Sequence, residues 1–414
     1  MESWARTAAR RSLAGSDLVK FPAAAALLGS LAALVCETPA KAQNATQGTA
    51  GYPGAVDVEP GTGALGQFLG FGPDSGVRLG GVVVSNGNAL AAGGKDPGTA
   101  SFNNLAVIGG DANLDKLARI PGATLGVSVL RFDGQRTNQQ FGAVTGYNSL
   151  PGAPPLDRTE LYELWWRQSL FADSVVVRFG KLVPTNDFDN VVRPVPVQDP
   201  SLKIPAVSGL LYTPIFVNPT ILGVLPGYYN SAYGVTGTLA PTKNWYLSLG
   251  SYDGNLADGV QTGLEFAPAF NSYRFQIGEF GTAWLLGSQR LPGAFAIGAW
   301  DQTGLLKVST GISQDNRPST ITQDGSQGVY MFASQRLWLR SPEGDGLSGF
   351  IQLGVNDSRT MIANRYFGAG LTAFGLVPGR ASDSFGAGFA WSGLNTRLGF
   401  RRDEALFQAY DPIK

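Results

Sequence analysis

The sequence contains no histidine among its 414 residues. Imidazole is the general base of Ser-His-Asp hydrolysis, a frequent ligand of zinc and the proximal ligand of haem iron in several protein classes. The absence of histidine excludes these mechanisms. We therefore expect a protein that is not an enzyme and that needs no cofactor and no metal.

Cysteine is almost absent as well, and its single copy, Cys36, lies in an apolar run over residues 21–36. Basic residues precede this run and Ala40-Lys41-Ala42 follows it, which is the pattern of a secretory signal peptide. A membrane anchor fits less well, because the run is shorter than a bilayer span. We predict a signal peptide over 1–42 and a mature chain that is exported and stabilised without disulfides.

Neither sign of charge is in excess, since 31 Lys and Arg residues balance 31 Asp and Glu residues. A nucleic-acid partner is therefore not expected. Beyond the first forty residues no stretch offers the roughly 18 uninterrupted apolar residues that a membrane-spanning helix requires. This absence disfavours a helical membrane protein.

The sequence is instead rich in glycine, with 56 copies, and in aromatic residues. From Val77 onward, short segments alternate apolar with small or polar residues, which is typical of antiparallel strands joined by turns. A soluble sandwich has the same period, but the export signal and the tryptophans near strand ends favour a barrel with aromatic girdles. We predict an all-β fold, a transmembrane outer-membrane β-barrel built as an antiparallel meander of roughly a dozen strands. The predicted strands include 161–171, 293–301, 328–339, 347–355, 385–391 and 394–400.

Three regions follow from this pattern. Residues 43–76 have no clear period and are predicted to be a flexible mature N-terminus, and residues 77–414 form the barrel. Within the barrel, residues 181–228 contain eight prolines and cannot be several regular strands. Such long loops are usually functional. This loop either folds into the lumen and narrows it or covers the mouth.

Strand parity gives candidates for the lumen. The side of the strand over 161–171 that carries Glu163 opposes the side that carries Tyr162, Leu164 and Trp166, and we predict that the former faces the lumen. Each candidate could equally belong to a structural ion pair in the wall, or to a surface turn if it lies in the loop. The predicted pore-lining residues are Glu163, Trp165, Arg167, Arg178, Arg274, Arg336 and Arg397, with Asp187, Arg193, Asp199 and Lys203 in the loop.

Several ordered motifs together resemble the carbohydrate-selective porins of the OprB family, although no single one is specific. They lie at 110–117, 121–125, 158–168, 177–182, 187–188, 245–247, 252–255, 278–280 and 292–300. The resemblance implies a barrel of about 16 strands, a homotrimer, and passive diffusion of monosaccharides and related solutes.

The sequence departs from the family pattern in two places. Residues 190–224 lack the aromatic and Asn-rich composition expected of the constriction loop. The chain also stops at Asp411-Pro412-Ile413-Lys414, whereas family members continue for several strands and end on an aromatic residue. We therefore expect this chain to be truncated or frameshifted relative to the family.

The function that we predict is passive diffusion of carbohydrates and similar small polar solutes through the outer membrane of a Gram-negative bacterium, in contact with its lipid. A general or anion-preferring diffusion porin is an alternative with the same fold. A secreted lectin-like β protein is another. A barrel enzyme would need a Ser-Lys or paired-acid site, and no compact motif of that kind is present.

Overall fold

The computed structural model describes residues 64–72, 74–146, 156–191, 217–227, 230–312, 318–340, 346–378 and 384–410. All of them belong to the unit that runs from Asn44 to Lys414. The predicted signal peptide over 1–42 and the loop residues Arg193, Asp199 and Lys203 lie outside the described ranges.

The described residues form one sheet of 14 strands, and each strand pairs with the next along the chain. Every pairing is antiparallel, so the predicted meander is confirmed. The strands are β1 Val77–Ala89, β2 Ala100–Asn113, β3 Ala123–Asp133, β4 Arg158–Leu170, β5 Val175–Leu182, β6 Ala232–Thr242, β7 Trp245–Asp253, β8 Arg274–Leu286, β9 Leu291–Ile312, β10 Pro318–Leu339, β11 Gly346–Asn356, β12 Ala363–Phe374, β13 Ser384–Leu394 and β14 Glu404–Tyr410.

The strands expose apolar side chains on one face of the sheet and bury their alternate residues on the other. In β7, Leu247 and Leu249 are exposed whereas Tyr246 and Ser248 are buried. We call the face with Leu247 and Leu249 the outer face and the face with Tyr246 and Ser248 the inner face. An apolar outer face with a polar interior is the pattern of membrane barrels, because lipid cannot hydrogen-bond to polar groups.

Three short helices accompany the strands: α1 Ala64–Phe68, α2 Leu114–Ala118 and α3 Thr137–Phe141. The side chain of Asn113 caps α2 by accepting a 3.0 Å hydrogen bond from the backbone N–H of Lys116. α1 lies within residues 43–76, which the sequence predicts to be a flexible mature N-terminus. In the described part of the chain, no helix is long and apolar enough to cross a membrane.

One predicted strand, over 394–400, is wrong. Leu394 ends β13, and Thr396–Leu398 is a 3-10 helix. The side chain of Asn395 accepts a 3.1 Å hydrogen bond from the backbone N–H of Arg397, and Gly399 has a φ of 88°. Both features favour a turn over an extended chain. The other predicted strands coincide with parts of β4, β9, β10, β11 and β13.

The connection between β5 and β6 packs on the inner face. Phe188, Val217 and Ile221 in this connection share one buried apolar cluster with residues from β7 to β13, such as Tyr252 and Tyr366. A single connection can contact so many consecutive strands only if the sheet curves around it. The core of the molecule therefore lies inside this curved sheet, between the β5–β6 connection and the inner face.

The connections at the two ends of the sheet differ in length. Those at one end are short, as at 171–174, 243–244 and 287–290, whereas those at the other end include 134–157, 183–231 and 254–273. The β5–β6 connection belongs to the end with long connections. It therefore enters the interior of the curved sheet from that end.

Candidate functional site

Four of the predicted residues lie together on the inner face of β4 and β5. Arg167 stands directly opposite Arg178, and Trp165 stands opposite Gly180. The guanidinium of Arg178 lies 5.6 Å from the centroid of the Trp165 ring, a cation–π distance. Glu163 accepts a 3.1 Å hydrogen bond from the hydroxyl of Ser128 on β3.

Glycine makes room for the indole of Trp165. Gly126 on β3 stands opposite Trp165, and a Cβ atom at Gly126 would overlap the indole ring. The ring therefore lies across the neighbouring strand instead of standing away from the sheet. This placement brings its face within reach of Arg178.

The β5–β6 connection supplies an acid to this group. Asp187 follows the 3-10 helix Pro184–Asn186, and its carboxylate forms a 2.5 Å ion pair with Arg178. The hydroxyl of Thr236 on β6 donates a 3.0 Å hydrogen bond to the same carboxylate and also contacts the hydroxyl of Tyr252 on β7. Asp187 thus joins the connection directly to β5 and β6, and Thr236 links it to Tyr252 on β7. We call Glu163, Trp165, Arg167, Arg178 and Asp187 the interior cluster.

The assignment of Tyr162 to the outer side was wrong. The register between β3 and β4 shifts at Ser128 and Val129, so that Ser128 pairs with Glu163 and Val129 pairs with Leu161. Such a bulge inserts one extra residue into β4. As a result Tyr162 is fully buried on the inner face, whereas Leu161 and Leu164 are exposed on the outer face.

A second acid on the inner face, Glu279 on β8, receives three hydrogen bonds. Its donors are the hydroxyl of Tyr246 at 2.7 Å, the hydroxyl of Tyr330 at 2.8 Å and the backbone N–H of Asp189 at 2.8 Å. Glu279 is only 2% exposed. The sequence motif at 278–280 contains this residue, but the sequence did not single it out. The available signal was a single acid on the same strand face as the apolar Ile277.

The carboxyl of Asp189 lies beside this group. Burial raises its pKa well above the ordinary value, and the nearby charge of Glu279 raises it further. Both effects favour the neutral acid, because burial disfavours the charged form and two nearby carboxylates repel each other. The β5–β6 connection thus places a carboxyl group that favours its neutral form close to Glu279.

A second connection, between β7 and β8, is held on the inner face by Lys181. The ammonium of Lys181 donates to the backbone carbonyl of Leu161 at 2.6 Å and to that of Gly263. Gly263 belongs to the 3-10 helix Thr262–Leu264. Close by, Glu265 has its pKa raised to about 7 by burial and by the neighbouring Asp253.

The three remaining described candidates lie apart from the interior cluster. Arg336 is buried on the inner face of β10, where it donates a 3.3 Å hydrogen bond to Ser348 and lies 5.4 Å from the ring centroid of Phe374. Arg274 is exposed and alternates with the buried Phe275, so it points to the opposite face. The sequence prediction placed Arg274 on the inner face because its neighbours Tyr273 and Phe275 are apolar. In the structure Phe275 itself packs in the interior. Arg397 is exposed in the β13–β14 turn, outside any strand.

Charges in the described part of the interior are nearly balanced. Arg178 is paired with Asp187, and the buried Arg158 is paired with Glu160 at 2.9 Å. Arg167 lies 3.7 Å from Asp173. The inner face therefore presents paired charges together with hydroxyl, amide and aromatic groups, and it can offer both hydrogen-bond donors and acceptors.

An antiparallel meander with an apolar outer face, a polar inner face and an inward-packed connection defines the porin class of outer-membrane β-barrels. The chain belongs to the family described as "Carbohydrate-selective porin, OprB family", whose model matches residues 100–412. Family and fold are those of channel-forming proteins.

Individual proteins are similar to this chain in sequence or in fold. Porin B of Pseudomonas aeruginosa is 24% identical over 241 residues, which are 56% of this chain and 50% of that protein. The chain thus spans about half the length of the curated relative that it matches. The high-pH structure of Pseudomonas putida OprB matches with a TM-score of 0.66 at 17% identity. The match covers 84% of this chain and 81% of the Pseudomonas putida chain. The low-pH structure has a TM-score of 0.51 at 14% identity, covering 87% and 89%.

Proposed function

We propose that the chain forms an outer-membrane porin through which carbohydrates and similar small polar solutes diffuse passively. The observation that carries this proposal is the interior cluster, in which paired charges lie beside an indole ring on the inner face. A sugar offers hydroxyl groups and a weakly apolar ring face, and these groups complement such a surface. Binding there must remain weak for solutes to pass.

Charge pairing favours neutral solutes over anions. An anion-preferring pore would present cations without matching acids, because selectivity for anions comes from rings of unpaired Arg and Lys side chains. Arg178 and Arg158 are each within 3 Å of a carboxylate. Around these two arginines, the inner face therefore fits uncharged sugars better than anions.

The β5–β6 connection is proposed to be the element that narrows the pore. Asp187 and Phe188 pack on the inner face, which agrees with a segment inside the lumen and disagrees with one that only covers the mouth. Long loops fixed to a rigid scaffold commonly carry selectivity.

Location and assembly are part of the same proposal. We propose that residues 1–42 direct export, that the apolar outer face contacts lipid of a Gram-negative outer membrane, and that the porin is a homotrimer. The long connections would then face outside the cell, as is usual for such barrels. Extraction of the mature chain into buffer without detergent would instead support the secreted lectin-like alternative.

The test is single-channel recording in planar bilayers with increasing glucose. We expect glucose to reduce the ion current of the wild-type protein, and an Arg167→Ala, Arg178→Ala double variant to change both conductance and glucose block. Arg397→Ala is the matched control, because this exposed arginine lies outside the interior cluster. A double variant that matches Arg397→Ala would remove both arginines from the proposed site, and absence of glucose block in the wild type would refute the sugar pathway.

A further inference from the structure

Glu279 is the point where β8 holds the β5–β6 connection through a main-chain contact. One of its carboxylate oxygens accepts both the backbone N–H of Asp189 and the hydroxyl of Tyr330, each at 2.8 Å. The other oxygen accepts the hydroxyl of Tyr246 at 2.7 Å. Hydrogen bonds to an ionised acceptor are stronger than those between neutral groups. The contact therefore fixes the backbone of the connection directly, independently of the side chain at position 189.

Two glycines aim the phenols at this carboxylate. Gly281 stands opposite Tyr246, and Gly298 stands opposite Tyr330. A Cβ atom at either glycine would overlap the ring of its partner tyrosine. Both rings therefore lie across an adjacent strand, and Tyr330 crosses β9 to reach Glu279 on β8. The positions of both phenols are thus set by residues of the strands β7 to β10.

The backbone of the connection is shaped to meet this cradle. Asp189 has a φ of 52°, a left-handed conformation that Asp and Asn tolerate better than most residues. Its N–H points to Glu279, while its neighbour Asp187 pairs with Arg178 on β5. The connection is thus fixed at two points, one on β5 and one on β8.

We propose that Glu279 is the positioning residue of the pore: it holds the β5–β6 connection across the lumen and so sets the width of the solute pathway. This inference rests on the proposed porin function, and it assigns to Glu279 a role that does not require contact with solute. Asp187 with Arg178 holds the near side of the connection, and Glu279 with its two tyrosines holds the far side.

The experiment is hydrogen–deuterium exchange by mass spectrometry on the full chain in detergent micelles. In Glu279→Gln we expect amides in 183–191 to exchange roughly 10- to 100-fold faster, the effect of losing a hydrogen bond to a charged group, with strand amides unchanged and single-channel conductance increased. Asp111→Asn is the matched control, because Asp111 is also a buried strand carboxylate but its partner is Arg78 on β1. We expect this control to leave exchange in 183–191 unchanged.

Tyr330→Phe provides a second route if Glu279→Gln does not fold, since it removes one donor and keeps the carboxylate. Asp189→Asn keeps the backbone N–H that contacts Glu279 and should leave exchange in 183–191 close to that of the wild type. Wild-type exchange in 183–191 for both folded Glu279 and Tyr330 variants would overturn the proposal. Because exchange is read without any sugar, a wild type without glucose block but with these changes would refute the sugar pathway alone.

Discussion

Tyr330 reaches Glu279 across an intervening strand. The hydroxyl of Tyr330 on β10 donates a 2.8 Å hydrogen bond to the carboxylate on β8, and the ring passes over Gly298 on β9, where a Cβ atom would overlap it. The bond therefore depends on a residue that has no side chain. Sequence changes on β9 can disturb a contact between β8 and β10.

Gly298→Ala is expected to destabilise the protein by about 1–3 kcal/mol, because the added methyl group displaces the ring of Tyr330 from a packed interior. Gly237→Ala on β6 is the control, since a Cβ there meets no atom within 4 Å; in a strand, Gly to Ala is otherwise neutral or favourable. The measurement is guanidinium unfolding in micelles. Equal stability of the two variants would disprove the steric argument.

Arg178 and Asp187 are expected to be coupled energetically. Their side chains are 17% and 14% exposed, so removing either partner leaves the other charge in a largely buried place. Each of Arg178→Ala and Asp187→Ala should cost about 3 kcal/mol, at the low end for a broken buried pair. The double variant should cost clearly less than the sum. A double-mutant cycle of unfolding free energies checks this, and strict additivity would show that the pair contributes nothing.

Glu265 makes the docking of the β7–β8 connection depend on pH. Its pKa is raised from 4.5 to about 7, so the docked form holds a proton that the undocked form releases. The contribution is complete below about pH 4.5, declines as pH rises, and is lost by about pH 7. Limited proteolysis within 254–273 should accelerate over this range. Glu265→Gln should make the rate of cleavage independent of pH over the same window, and an unchanged pH profile in that variant would exclude Glu265 as the cause.

Glu404 fastens the β3–β4 connection to the last described strand. Its carboxylate accepts the backbone N–H groups of Val144 and Thr145, each at 2.8 Å. Glu404→Ala should speed amide exchange at these two positions about tenfold or more, as expected for loss of a hydrogen bond to a charged group. Asp403→Ala is the control, because Asp403 accepts only the N–H of Leu394 in its own hairpin. Equal exchange at 144–145 in both variants would contradict the assignment.

Alternation along the chain predicted the strands but not always which face each side chain occupies. At Leu247 and Leu249 the apolar residues lie on the outer face, as a membrane barrel requires. At Phe275 and Ile277 the apolar residues lie on the inner face, because they pack in the cluster around the β5–β6 connection. Periodicity shows that a strand has two different faces. Which face is the inner one depends on where the β5–β6 connection packs, and the alternation of residues does not show this.

The candidate site was predicted in part for the same reason. Strand parity places Glu163, Trp165 and Arg167 on one face. Arg178 and Asp187 were predicted separately, and only the structure shows that they lie next to these three residues. Glu279 was missed because its partners are distant in sequence: Tyr330 is 51 residues away and Asp189 is 90 residues away. A single sequence carries no signal for such pairings.

The meander order has a consequence for folding. Every strand pairs with its neighbour in sequence, so hairpins can form one after another, and those with connections such as 171–174, 243–244 and 287–290 close only a short stretch of chain. The β5–β6 connection instead buries Phe188 and Ile221 against residues from strands as late as β13, and these contacts close long loops at a higher entropic cost. The wall can be built progressively, whereas the element inside it completes its docking only after the later strands have come into place.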